Sequence, residues 1–306
     1  DNPCLLSIQK DKSKALIVYV YDEIEREATG EAGHWWLHES IKKLENSFKK
    51  EFKLDLIVMK GSAQESLSKL IKKYKINRVV WNRLYSKKSI SRDTKIKQDL
   101  KEKNIEVETF NAHLLNEPWE VQNNSGLYFK VFTPYWRKAF DVYKAKKYQI
   151  TSLKFIDPLE HNEKNQWNFL PSKKWYQKFS NYWKPGEEAA LEKLKYYINN
   201  HIDNYKEGRD RPDLDQTSRL SPHLRFGEIS PRMIVNQVIK SKKLDISSLT
   251  FLSEIGWREF SYSLLYYSKD LSTIPINEKF SKFPWRKNEK DLNLWKKGKT
   301  GIPLID

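Results

Sequence analysis

Short apolar and β-branched runs recur through the first third of the chain, at residues 15–21 (ALIVYVY), 55–59 (DLIVM), 77–81 (NRVVW) and 105–110 (IEVETF). Longer stretches with helical spacing lie between them. Trp35, Trp36, Ile41, Leu44 and Phe48 share a face in the first; Leu67, Leu70 and Ile71 mark the second, and Ile96, Leu100 and Ile105 frame the third. Strands alternating with helices make βαβ units, so residues 1–112 are expected to form an α/β domain on a doubly wound parallel sheet. The pattern then loosens. Pro118, Asn123-Asn124-Ser125-Gly126, Pro158 and Pro171 punctuate residues 113–185, where only 134–147 has helical spacing. This stretch is expected to be a long connector on the protein surface. After Pro185-Gly186 the spacing turns helical. One helix is predicted over 186–200 and a largely apolar, buried one over 252–267, while Ser221-Pro222 and Ser230-Pro231 each offer an N-cap serine before a first-turn proline. Residues 186–306 are expected to form an all-α domain.

Length and composition agree with this division. At 306 residues the chain has room for two domains, and 39% apolar with 31% charged residues is enough for a sizeable core. No apolar run approaches the length of a membrane span, and the lone Cys4 excludes an internal disulfide or a cysteine-based zinc site. A soluble, cytoplasmic, monomeric protein without a metal is expected. Both ends look cut: the first apolar segment has no capped beginning, and the chain stops at Asp306 inside an apolar element.

The net charge of +16 favours a polyanionic partner such as nucleic acid. However, lysine far outnumbers arginine and the excess is even along the chain, as an AT-rich coding sequence would also produce. Aromatic content narrows the field more. Eleven Trp, 16 Tyr and 14 Phe exceed what an ordinary core requires, and such side chains stack on bases or flavins and relay electrons.

Several familiar sites are missing. Gly298-Lys299-Thr300 lacks the P-loop glycine five residues earlier, where Asn293 stands, and no G-x-G-x-x-G or G-x-S-x-G occurs. His34 and His38 are four apart on a helix without a third ligand, so a surface or interface role is expected for them.

Two segments carry candidate chemistry. In the first, Tyr205 and Arg209 are followed by Thr217, Ser218 and Ser221, three hydroxyls in five residues before Pro222. Hydroxyls beside a helix start suit a phosphate or diphosphate. Ordinary capping explains the same residues, and is commoner. In the second, Glu254, Trp257, Arg258 and Ser261 fall on one face of a helix. A carboxylate, an indole and a guanidinium there suit a planar, polar-edged ligand, and equally suit an internal ion pair beside a core tryptophan.

Together the segments resemble the DNA photolyase/cryptochrome family. The resemblance runs over almost the whole chain, through Trp36-Leu-His38-Glu-Ser-Ile, Lys130-Val-Phe-Thr-Pro-Tyr135-Trp136, Trp183-Lys-Pro-Gly186-Glu, Thr217-Ser-Arg-Leu-Ser-Pro222, Phe226-Gly-Glu-Ile-Ser-Pro-Arg232, Trp257-Arg-Glu-Phe260 and Gly298-Lys-Thr-Gly-Ile-Pro303. It is most like the bacterial class I cyclobutane pyrimidine dimer photolyases, with the first strand and the C-terminal third lacking.

The resemblance implies an α/β antenna domain, a linker and a helical FAD-binding domain. FAD would contact Tyr205, Thr217, Ser218, Arg219, Leu220, Ser221, Phe251 and Arg258. UV-damaged DNA would contact Arg209, Glu254, Trp257 and Arg258, with Glu254 hydrogen-bonded to a thymine edge and Trp257 stacked on the extruded dimer. Trp285, ten residues before Trp295, corresponds to an electron-relay tryptophan of the family. The implied reaction is light-driven electron transfer from reduced FAD, which needs no general base. The antenna pigment would be methenyltetrahydrofolate or 8-hydroxy-5-deazaflavin. Within the family, a cryptochrome photoreceptor and a (6-4) photolyase are the alternatives; outside it, a basic nucleic-acid-binding module without catalysis.

Overall fold

A computed structural model describes residues 1–306 except Asn165, Lys242, Lys243, Lys269 and Ser272. Its contacts divide the chain into two units, Asp1–Tyr267 and Ser268–Asp306.

In the larger unit, α1 (Pro3–Asp11), β1 (Lys14–Ala15), β2 (Ile17–Tyr21), α2 (Glu23–Ala28) and α3 (Glu31–Phe52) open the chain. They are followed by β3 (Leu56–Lys60), α4 (Ala63–Tyr74), β4 (Arg78–Asn82), α5 (Lys87–Glu102) and β5 (Glu106–Phe110). Helix α1 corrects the expectation that the first apolar segment is uncapped: the Asn2 side chain accepts from the Cys4 N–H, and Pro3 takes the first turn. All four expected strands form, but residues 15–21 divide between β1 and β2.

Among the described residues, every strand pair is parallel. β2 runs beside β3 with Tyr19 opposite Val58, and β4 beside β5 with Val80 opposite Glu108. Helices α2 and α3 between the first of these pairs, and α5 between the second, make the crossover that a parallel pair demands. Instead of one continuous sheet, the described residues form three two-stranded ladders, because β2 and β4 do not pair. A cavity of about 770 Å³ lies between them, lined among others by Ile17, Tyr19, Val79 and Trp81.

The connector is less superficial than its composition implies. Leu114, Leu115, Val121, Tyr135, Ala139 and Phe169 are all buried. Its β6 (Asp157–Pro158) pairs with β1, and Phe169 packs with Leu37, Ile41, Leu56 and Val58. Leu114, Leu115, Val121 and Phe169, at irregular spacing, are buried outside helix and strand, which periodicity cannot register. Helix α6 (Phe132–Ala145) occupies the predicted 134–147 region.

The remaining helices are α7 (Glu187–Asn200), α8 (Tyr205–Gly208), α9 (Ser221–Arg225), α10 (Pro231–Ser241) and α11 (Ile246–Tyr267). Ser230 caps α10 by accepting from Met233 N–H at 3.0 Å. Ser221 does not cap α9: the N-cap is Leu220, so Ser221 is already the first helical residue. Helix α11 begins six residues before its predicted start, behind a reciprocal Asp245–Ser248 capping pair.

Buried Glu228 ties distant parts of the unit together. Its carboxylate accepts from Trp36 Nε1 at 3.1 Å and from Gly186 N–H at 2.7 Å, and lies 2.5 Å from His223 Nδ1. Gly186 holds φ at +112°, a conformation that favours glycine. His34 Nε2 bonds Tyr21 Oη at 2.8 Å, and His38 lies edge-on to Trp167.

In the smaller unit, α12 (Glu289–Lys296) is capped by Asn288, and Asp306 accepts from Thr300 and Gly301 N–H groups. Among the described residues, no helix is long and apolar enough to cross a membrane. Nor do three or more His, Cys, Asp or Glu side chains gather as metal ligands.

Candidate functional site

Helix α11 organises the candidate residues. Its apolar positions Phe251, Leu252 and Ile255 sink into a cluster with Tyr205 and Leu220, fixing the rotation of the helix. Tyr205 meets Phe251 edge-on at 5.4 Å, and burial pushes its hydroxyl pKa up, with Glu254's charge acting in the same direction.

Rotation about this buried stripe sends Glu254 and Trp257 outward. Glu254 receives a hydrogen bond and ion pair from Arg209, which also lies over the Tyr205 ring at 5.6 Å. That hydrogen bond is the main reason the Arg209 guanidinium holds its proton even more firmly than usual. Trp257 is 45% exposed although one ring face is covered: Phe132 stacks on it at 3.7 Å between centroids, 9° from parallel.

Arg258 bonds to the connector and to its own helix. It donates to the His113 carbonyl at 2.9 Å and to Glu259 at 3.1 Å, and it lies over the Tyr262 ring. The Ser261 hydroxyl returns to the Trp257 carbonyl. The structure therefore brings Arg209, Glu254 and Trp257 together and ties Arg258 to the connector.

The hydroxyl segment approaches the same region from α8. Gly208 allows this: a Cβ there would come within 2.6 Å of Gln216, next to Thr217. Thr217, Arg219 and Ser221 are exposed and Ser218 half-buried, while Leu220 anchors them in the core. Arg219 adopts φ of +50° and pairs with Asp215 at 3.1 Å. The first turn of α9 has no side-chain cap. Hydroxyls, a guanidinium and first-turn N–H groups form a donor set suited to a diphosphate. Trp285, in the smaller unit, is 71% exposed and packs with Phe283.

Sequence reasoning assigned no role to three residues that matter here. Phe132 belongs to a recoverable signal, since Phe132, Tyr135, Trp136 and Ala139 have the i, i+3, i+4, i+7 spacing of a helix face. Glu259 is fully buried, accepting from Leu115 N–H at 2.7 Å; burial pushes its pKa up to about 7 against the opposing effect of Arg258. His113 bonds Tyr262 Oη at 2.6 Å, and burial chiefly lowers its pKa to about 3. Neither has a local pattern that distinguishes it.

Residues 1–154 match the family model described as DNA photolyase, and residues 251–306 that described as FAD binding domain of DNA photolyase. The deoxyribodipyrimidine photo-lyase of Agrobacterium fabrum is 36% identical over 316 aligned residues, covering 100% of this chain and 65% of that protein. Cryptochrome-1 of Arabidopsis thaliana is 29% identical, over 100% of this chain and 47% of that one. The crystal structure of a bacterial class III photolyase from Agrobacterium tumefaciens superposes with a TM-score of 0.89 at 32% identity, covering 99% of this chain and 64% of its own. The chain thus spans less than two thirds of each of these relatives.

Proposed function

Because the chain belongs to the DNA photolyase family, we propose that it serves the light-driven repair of cyclobutane pyrimidine dimers in DNA, with FAD as cofactor. The observation that carries this reading is the outward pairing on α11: the Glu254 carboxylate, held by Arg209, stands one turn from the exposed Trp257 indole. A pyrimidine has a flat face and an edge of donors and acceptors, and these two side chains complement both. Glu254 accepts from the N–H on the pyrimidine edge. Trp257 covers the ring face and excludes water from it, and Arg209 offers a cation toward the DNA backbone.

Thr217, Ser218 and Ser221, with Arg219, would hold the FAD diphosphate; Tyr205, Leu220 and Phe251 form the apolar floor that keeps that segment in place. When bound, reduced and excited, FAD supplies the single electron that splits the cyclobutane ring. Trp285 is assigned to electron relay, and Arg258 to fixing α11 against the connector. The division into antenna domain (1–112), linker (113–185) and FAD-binding domain (186–306) belongs to the same reading. So do a cytoplasmic monomer and a folate or deazaflavin antenna pigment. The solved relative is of class III, whereas the sequence motifs resemble class I.

The test is repair itself. Flavin-loaded protein should prefer a duplex carrying one thymine dimer over the undamaged duplex, and blue light should remove the dimer. Preference without light-dependent repair, or no preference at all, would favour the photoreceptor reading that the similarity to a cryptochrome also supports.

A further inference from the structure

We propose that Phe132 is a positioning residue: its ring holds the Trp257 indole in one orientation and leaves the opposite indole face for a flat, polar-edged ring. The inference rests on the assignment of Trp257 to the lesion pocket and adds the residue that sets its angle.

Phe132 opens α6 and stacks on Trp257 at 3.7 Å with the planes 9° apart. Aromatic pairs usually prefer edge-to-face or offset arrangements with centroids 4.5–7 Å apart, so the surroundings must impose this one. They do so through Phe260, which is 6% exposed and meets both rings edge-on at 6.0 Å. One turn along α6, Trp136 lies so close to Gly256 that a Cβ there would be 2.5 Å from the indole. Tyr135 packs on Phe260 at 5.2 Å. These contacts, one turn beyond Phe132, fix α6 against α11.

With one face covered by Phe132, the 45% exposure of Trp257 belongs to the other face and the ring edge. A loose indole would have to give up rotamer freedom when a ligand stacks on it. One already held gives up little, and immobilising such a side chain corresponds to roughly 3- to 10-fold in affinity.

The full chain, labelled with 5-fluorotryptophan and loaded with FAD, allows two independent readouts. Trp257 is assigned in the fluorine spectrum by the resonance lost in Trp257→Phe. Phe132→Ala and Phe132→Leu should shift or broaden that resonance, whereas Phe132→Tyr should leave it near its original position. Phe132→Leu retains most of the bulk, and its thermal melt separates loss of the ring from loss of the fold.

In the second readout, Phe132→Ala should bind a duplex with one thymine dimer about 3- to 10-fold more weakly. It should bind undamaged duplex unchanged, and it should add nothing in a Trp257→Ala background. An unmoved Trp257 resonance, or an equal loss in the Trp257→Ala background, would overturn the positioning role. If Trp257→Ala itself keeps the wild-type preference for the dimer, the lesion-pocket assignment fails, while the fluorine spectrum still decides whether Phe132 holds the ring.

Discussion

Arg209 and Glu254, 45 residues apart in sequence, form an ion pair that joins α8 to the middle of α11. Each side chain is about one third exposed, at 33% and 32%, so the pair contributes only about 0–1 kcal/mol to stability. Glu254→Gln should therefore melt close to the wild type. Its affinity for a dimer-containing duplex should nonetheless fall by about 1.5–3 kcal/mol, the scale of a hydrogen bond to a charged group. A fluorescence-anisotropy titration checks this, and equal affinity would remove Glu254 from the pocket.

Trp257→Ala should weaken binding to the same duplex by about 1–3 kcal/mol through the lost stacking contact. Undamaged duplex, which presents no extruded ring, should bind as before. Parallel titrations of the two duplexes provide the comparison.

Changing Thr217, Ser218 and Ser221 together to alanine should reduce FAD affinity at least about tenfold, since hydrogen bonds to a charged diphosphate carry about 1.5–3 kcal/mol each. The fold should change little. Ser218 makes only a 3.4 Å contact to Leu220 N–H, and the other two hydroxyls are exposed. Retained flavin absorbance after gel filtration would show that the diphosphate sits elsewhere.

Two buried groups set opposing pH dependences. Glu259 has its pKa raised to about 7, so the folded state keeps a proton that the unfolded chain releases near its ordinary value of 4.5. Its contribution therefore falls as pH rises from about 4.5 to 7. His113 has its pKa lowered to about 3 from 6.5, so the unfolded chain binds the extra proton and stability rises across that interval. The two slopes oppose each other between about 4.5 and 6.5. Urea titrations at several pH values should show a shallow wild-type profile. Glu259→Gln should leave a rise toward neutral pH, and His113→Gln a fall. Identical profiles for all three proteins would contradict the assignment.

The fold was legible wherever burial follows a period. The runs at 55–59, 77–81 and 105–110 became strands within a residue of their expected ends, and α7 starts one residue after its predicted start and ends at Asn200 as predicted. The connector was not legible, because Leu114, Leu115, Val121 and Phe169 are buried without regular spacing. At the candidate site, spacing put Glu254, Trp257 and Arg258 on one face but could not say which neighbour claims each side chain. His113 and Glu259 claim Arg258, and Arg209 claims Glu254. Those partners lie far off in sequence or on the adjacent position, where no helical repeat points.

The space between β2 and β4 has a consequence for handling the protein. The cavity of about 770 Å³ keeps the two strands apart, with Ile17 and Tyr19 of β2 and Val79 and Trp81 of β4 among its lining. Among the described residues, β2 and β4 each have a ladder partner on one side only. Edges of this kind template intermolecular pairing. Concentrated solutions of the 306-residue chain should therefore scatter light increasingly with time, through added strands rather than through loss of helix. Substituting lysine at Val18 and Val80, within the facing strands, should slow that clouding, as charged side chains do on natural strand edges.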